Sequence, residues 1–190
     1  IMKKSVLLLS AILFTFSMQG QIQTPASSPS AHMEQMVGLT DVTIEYSRPS
    51  MKGRTVFGNL VPFGKIWRTG ANANTTISFS TDVTVDGQKL NKGTYAIYTK
   101  PEKDSWEVYF YSETDNGGLP QKWDDSKVVA KVSAKVYPMS MSVESFTISL
   151  DDLTSESAVL GILWEKTYVG VKFEVPTDAT VMNNINQVMG

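Results

Sequence analysis

The sequence predicts an all-β protein: an antiparallel β-sandwich, jelly-roll-like or Greek-key, of about eight to nine strands. Three observations carry this reading. From Thr40 onward apolar residues recur with a period of two rather than 3.6, the spacing that puts alternate side chains on opposite faces of a strand. Turn signals separate the runs, among them Asp86-Gly87, a pair that tolerates positive φ and marks a tight hairpin. The 190 residues are 42% apolar, enough for one real core and too few for a chain embedded in a membrane.

The chain opens on Met2-Lys3-Lys4, an apolar run over 6–16 and the polar stretch Ser17-Met18-Gln19-Gly20. A short basic start, a brief apolar run and small polar residues make the pattern of an export signal, too short for a membrane span. Residues 1–20 are therefore expected to be a signal peptide. The protein is expected to be exported, periplasmic or secreted, with no stable membrane anchor after the signal is removed. Residues 21–38 begin with a stretch rich in Pro, Ser and Ala and read as a flexible lead-in. A single sandwich domain is expected over 39–176.

Within that domain Val42, Ile44 and Tyr46 alternate with Thr43, Glu45 and Ser47. Ile77 and Phe79 follow the same rule, then Val83 and Val85 leading into the Asp86-Gly87 hairpin, which Leu90 closes. Tyr95, Ile97 and Thr99 form the next run, and Trp106, Val108 and Phe110 the one after it. Val128, Ala130, Val132, Ala134 and Val136 are interleaved with Lys127, Lys131 and Lys135, which suit a solvated face or a guarded edge. Phe146, Ile148 and Leu150 share one face, and runs over 158–164 and 169–175 complete the set. Beyond Pro176, Thr177-Asp178 can cap a short helix carrying Val181, Ile185 and Val188; a tail over 177–190 is the alternative.

Composition removes several classes of function. With no cysteine there is no disulfide, thiol nucleophile or Cys-ligated zinc. One histidine, His32, rules out two-His and three-His metal motifs and leaves a serine nucleophile without a convincing base. No metal site and no cofactor are expected. The net charge is −2, and −4 once Lys3 and Lys4 leave with the signal, which argues against nucleic acid as a partner. Paired acids remain as one acid–base route, with Glu113, Asp115, Asp124-Asp125 and Asp151-Asp152 available.

Residues 48–75 break the strand pattern. They hold four glycines, two prolines and both Asn72 and Asn74, and they form a connection longer than two strands need. Val56, Phe57, Leu60, Val61, Phe63, Ile66 and Trp67 call for burial, so an ordered loop is expected, with room for a short strand at 65–69. The chain has fourteen lysines spread throughout but only three arginines, and all three, Arg48, Arg54 and Arg68, lie here. A guanidinium pairs as a planar fork with carboxylates, phosphates or carbonyls and tolerates partial burial. Two readings stand side by side. In one, the arginines tie a long loop to its neighbours through carbonyls or through Glu45, Glu144 or Glu165. In the other, Arg48, Lys52, Arg54 and Arg68 converge with Trp67, Asn72 and Asn74 on a site for a polar or anionic ligand.

The runs Ser47-Arg48-Pro49, Lys52-Gly53-Arg54, Phe57-Gly58, Leu60-Val61-Pro62 and Trp67-Arg68-Thr69-Gly70-Ala71-Asn72 resemble an exported bacterial family, domain of unknown function 2911. Gly93-Thr94-Tyr95, the stretch from Glu144 to Ile148, Ser30-Ala31 and Gly38-Leu39-Thr40 extend the resemblance over roughly 28–175. It implies an exported address and a domain extent, and it supplies no catalytic residue. The function expected from all of this is a non-enzymatic module that binds a small polar or anionic ligand, a glycan or a protein partner through the 48–75 loop. The alternatives are a carboxylate-dependent hydrolase of envelope or dietary polymers and an assembly component without a small ligand.

Overall fold

A computed structural model describes residues 24–189; the export-signal reading of 1–20 lies outside the described residues. Nine strands precede one helix: β1 (Ser30–Val37), β2 (Thr40–Ser47), β3 (Thr76–Phe79), β4 (Val83–Val85), β5 (Gln88–Leu90), β6 (Gly93–Pro101), β7 (Ser105–Tyr111), β8 (Val128–Asp151), β9 (Ser157–Glu174) and α1 (Thr177–Met189). All ladders are antiparallel, in the order β1-β2-β3-β6-β7-β8-β9-β4-β5. The all-β expectation holds. The β4–β5 hairpin leaves the sequential order and joins the far end of the sheet beside β9.

The 24-residue β8 belongs to both halves of the sheet. Its first part pairs with β7 and its second part with β9, so the sheet turns over along this strand. The two halves then face each other across one core. Phe79 of β3 meets Phe173 of β9, with ring centroids 5.4 Å apart, and Tyr46 of β2 meets Phe146 of β8 at 5.8 Å. Val42, Ile44, Ile77, Ile97, Val108, Phe110, Leu160 and Phe173 are buried in that layer. Each contributes about 1.5–3 kcal/mol by leaving water.

Two polar side chains stitch the halves where no ladder joins them. The Tyr46 hydroxyl donates to the Ile148 carbonyl at 3.4 Å and accepts from the Ile148 N–H at 3.2 Å. The Gln88 amide does the same for Lys131, donating from Nε2 at 2.9 Å and accepting at Oε1 at 3.2 Å. Each side chain replaces a missing strand for one residue, and at the buried Ile148 this removes the cost of an unpaired backbone group.

Three departures from the sequence reading have clear causes. The flexible lead-in expected over 21–38 gives way at Ser30, where β1 begins and pairs along its whole length with β2. Its period of two is real, with Ala31, Met33, Gln35 and Val37 on the inner side, but small and polar members hide it. His32 therefore sits on a strand, exposed, between Glu45 (Nδ1–Oε1, 3.3 Å) and Glu34 (Nε2–Oε1, 3.0 Å). The runs at 127–136 and 143–150 are parts of one strand, β8, and those at 158–164 and 169–175 are both β9, because bulges rather than turns lie between them. Tyr98, Tyr109 and Tyr111 are buried on the outer face of the sheet, where the 112–127 segment folds Trp123 over them. The helix α1 forms, with no buried residue. No helix among the described residues is long and apolar enough to cross a membrane.

Two predictions test these contacts. Tyr46→Phe leaves both polar groups of Ile148 without their partner, so urea unfolding should show a loss of about 1–3 kcal/mol at unchanged slope. On the outer face, Glu107 receives a hydrogen bond from Lys131 and one from the Tyr109 hydroxyl at 2.6 Å, with Lys100 nearby; these hold its carboxyl down to about 2. A carboxylate lowered on folding adds stability that is complete above its unfolded value near 4.5 and is lost as the pH falls toward 2. The stability gap between the wild type and Glu107→Gln should therefore be constant above pH 5 and shrink between pH 4.5 and 2.

Candidate functional site

The 48–75 segment is irregular, so its backbone polar groups need partners other than a regular ladder. It finds two docking lines. Where β8 bulges away from β9, the loop takes the vacated edge: Met51 N–H donates to the Glu144 carbonyl (2.9 Å) and Phe146 N–H to the Pro49 carbonyl (2.8 Å). Further on, the loop lies along β6 beyond the end of β3. There Trp67 and Thr99 exchange two bonds of 2.7 and 3.0 Å, and Gly64 N–H reaches Pro101. Between these lines, carboxylates from the neighbouring layer accept from loop amides: Glu144 from Lys52 N–H (2.8 Å), and Glu165 from Val56 N–H (3.3 Å) and Phe57 N–H (3.4 Å).

The arginines supply the opposite need. Arg48 Nε donates to the Phe146 carbonyl at 3.0 Å and Nη2 to Thr147 Oγ1 at 2.8 Å. Arg54 holds the Met51 and Ser50 carbonyls, both at 2.8 Å. Arg68 Nη1 holds the Asn72 carbonyl at 2.8 Å, and this guanidinium lies against Gly118. At φ +119 a side chain on residue 118 is strained, and its Cβ would stand 2.6 Å from Arg68 Nη1, so glycine is what lets the 112–127 segment approach. Asn74 ties the same two segments. Its Oδ1 accepts from Asn116 and Gly118 N–H, and its Nδ2 donates to the Tyr98 hydroxyl and the Gly118 carbonyl. Burial raises the Tyr98 phenol, which keeps its proton for the Gly118 carbonyl.

An aromatic cluster underlies the loop. Trp67 stacks on Trp164 with centroids 5.9 Å apart and planes 19° off parallel, while Phe57, Trp106 and Phe146 meet it edge-on. Above this cluster opens a cleft of about 510 Å³. Lys52, Arg54, Lys65 and Arg68 lie on its wall with Trp67 and Trp164; Leu60, Val61, Pro62, Ile66 and Leu119 supply apolar surface, and Ser27 and Ser28 complete one side. No carboxylate lines it, and none of the four cations forms an ion pair among the described residues. Four other clefts on the same molecule each include at least one acid.

Of the residues expected at a site, Lys52, Arg54, Trp67 and Arg68 come together here. Arg48, Asn72 and Asn74 do not line this cleft: Arg48 clamps β8, Asn72 Nδ2 donates to the Ser28 carbonyl and Ser47 Oγ, and Asn74 holds the 112–127 segment. Lys65, Ile66 and Leu60 belong to the same loop and were open to the same reasoning. Leu119 and Trp164 come from distant stretches with no local signal that they share a wall.

A family model described as "Protein of unknown function (DUF2911)" matches residues 28–173. The chain belongs to this family. The DUF2911 match starts just ahead of β1 and ends inside β9, so it takes in the lead-in serine Ser28, the whole 48–75 loop and the strands that hold it. No curated protein and no solved structure matches the chain. The family description names no activity, which leaves the cleft to be read on its own chemistry.

The geometry separates the cations of this DUF2911 chain into two kinds. Arg48→Ala removes a clamp between two segments nearly a hundred residues apart and should cost about 1.5–3 kcal/mol in chemical unfolding. Lys65→Ala, at an exposed side chain without an ion pair among the described residues, should change stability by less than about 0.5 kcal/mol.

Proposed function

We propose that this protein is an exported, non-enzymatic binding module that takes a small anionic ligand in the cleft beneath the 48–75 loop. One observation carries the reading: four cationic side chains line a concave site that contains no acid among the described residues, in a chain whose net charge is negative. Such a segregation of charge leaves a positive potential in the cleft, which an anion relieves. The basic and apolar pattern of residues 1–20 supports the exported address.

The rival readings are less well served. Glycan binding wants an open aromatic face, yet Trp67 is stacked on Trp164 and flanked by rings, and Trp106, Tyr109 and Tyr111 are buried. A hydrolase wants two acids facing one substrate. Asp124 instead caps a 3-10 turn, Asp125 accepts from Trp123, Asp151 accepts from Ser149 and Tyr168, and Glu113 pairs with Lys127. An assembly role has one observation in its favour, the apolar residues Val181, Met182, Ile185 and Val188 exposed along α1.

The test is a titration of the protein with phosphate, citrate and benzoate against neutral maltose, followed through the Trp indole N–H signals in NMR spectra. Anions should shift the Trp67 signal, and Lys52→Gln/Lys65→Gln should weaken them about tenfold, with binding fading as salt rises. Shifts from maltose alone, or equal anion binding by the double variant, would contradict the proposal.

A further inference from the structure

We infer that the anion taken by this cleft is amphiphilic, an oxyanion head on an apolar, ring-sized body, rather than an inorganic ion or a polar metabolite. The inference rests on the anion reading above and narrows it to a ligand class. Its ground is the composition of the wall. Leu60 and Leu119 are 40% and 45% exposed, and both line the same hollow, one from the 48–75 loop and one from the 112–127 segment. Pro62 and Ile66 continue that accessible apolar surface, while Val61 and Trp164, both buried, back it from below.

A bare phosphate or carboxylate would use the cations and leave these carbon walls wet. It would also gain less than a head group shielded from water, because Lys52, Arg54 and Lys65 belong to exposed residues and are well hydrated. A sugar or polyol could meet Ser27, Ser28 and Ser50 on one side but would set its other hydroxyls against Leu60, Pro62, Ile66 and Leu119, which offer no side-chain acceptor, at the cost of lost water contacts. An apolar body removes the walls from water at about 25 cal/mol per Å². It also excludes water from beside the head group, where the four cations then act through a lower dielectric. The hollow, about 510 Å³, lies within the range of about 300–1,000 Å³ usual for small-ligand pockets and has room for a fused-ring or branched body.

The experiment is calorimetric titration of the full chain with 2-naphthoate, its neutral analogue 2-naphthalenemethanol, acetate and inorganic phosphate. The expected result is that 2-naphthoate binds at least about tenfold tighter than each of the other three, a margin of about 1.4 kcal/mol. Leu60→Asn/Leu119→Asn, two changes at exposed positions, should erase most of the margin over acetate, and Lys52→Gln/Lys65→Gln most of the margin over the alcohol. Acetate or phosphate binding as tightly as 2-naphthoate would overturn this inference and leave the anion reading in place. The alcohol binding as tightly as the acid would overturn both, since charge would then not be recognised. Absence of binding by all four at millimolar concentration would likewise overturn both.

Discussion

A long loop laid over a hydrophobic cluster has a backbone problem before it has any function. Residues 48–75 follow no continuous ladder, yet through their own Trp67 they pack on Trp106, Phe146 and Trp164, where an unpaired N–H or carbonyl costs about 1–3 kcal/mol. The chain meets this constraint with charged side chains used as backbone partners. Guanidinium groups take the carbonyls of Ser50, Met51, Asn72 and Phe146, and the carboxylates of Glu144 and Glu165 take the amides of Lys52, Val56 and Phe57. The planar fork, which a lysine ammonium lacks, is used by Arg48 and Arg54 to hold two acceptors each, while Arg68 holds one carbonyl.

The same solution shapes the cleft. Glu144 and Glu165 are occupied with loop amides and do not line it, and among the described residues no acid lines the cleft or forms an ion pair with Lys52, Lys65, Arg54 or Arg68. Backbone conformation adds to this. Lys52, Thr69 and Asn72 adopt positive φ in the loop, as does Glu165 beneath it. For Thr69, β-branched and buried, that conformation is costly and is held by bonds to Thr99 Oγ1 and from Thr75 Oγ1. Strain kept in place by surrounding contacts, directly after Arg68, fits a loop whose shape is set before any ligand arrives.

Much of the architecture was legible because burial on one face imposes a period of two, as Val42-Ile44-Tyr46 and Trp106-Val108-Phe110 show. β1 escaped because Ala31 and Gln35 make a weak inner face, and because the Pro-Ser-Ala composition ahead of it masks where order begins. The outer-face burial of Tyr98, Tyr109 and Tyr111 escaped because it depends on a later segment folding back, which no local pattern reports. At the site, the loop and four of its residues could be named from irregularity and arginine confinement. Which arginines face the hollow depended on which carbonyls lay within reach across the sheet, and Leu119 and Trp164 reach it only through topology.

The measurement that bears most directly on this account is residue-resolved amide hydrogen exchange across 48–75. If charged side chains hold the loop backbone in place, Lys52, Val56, Phe57 and Trp67 exchange as slowly as the amides of the paired strands, while the open turn at Gly53 exchanges fast. Uniformly fast exchange over the whole segment would contradict the account, because the cleft would then have no fixed wall.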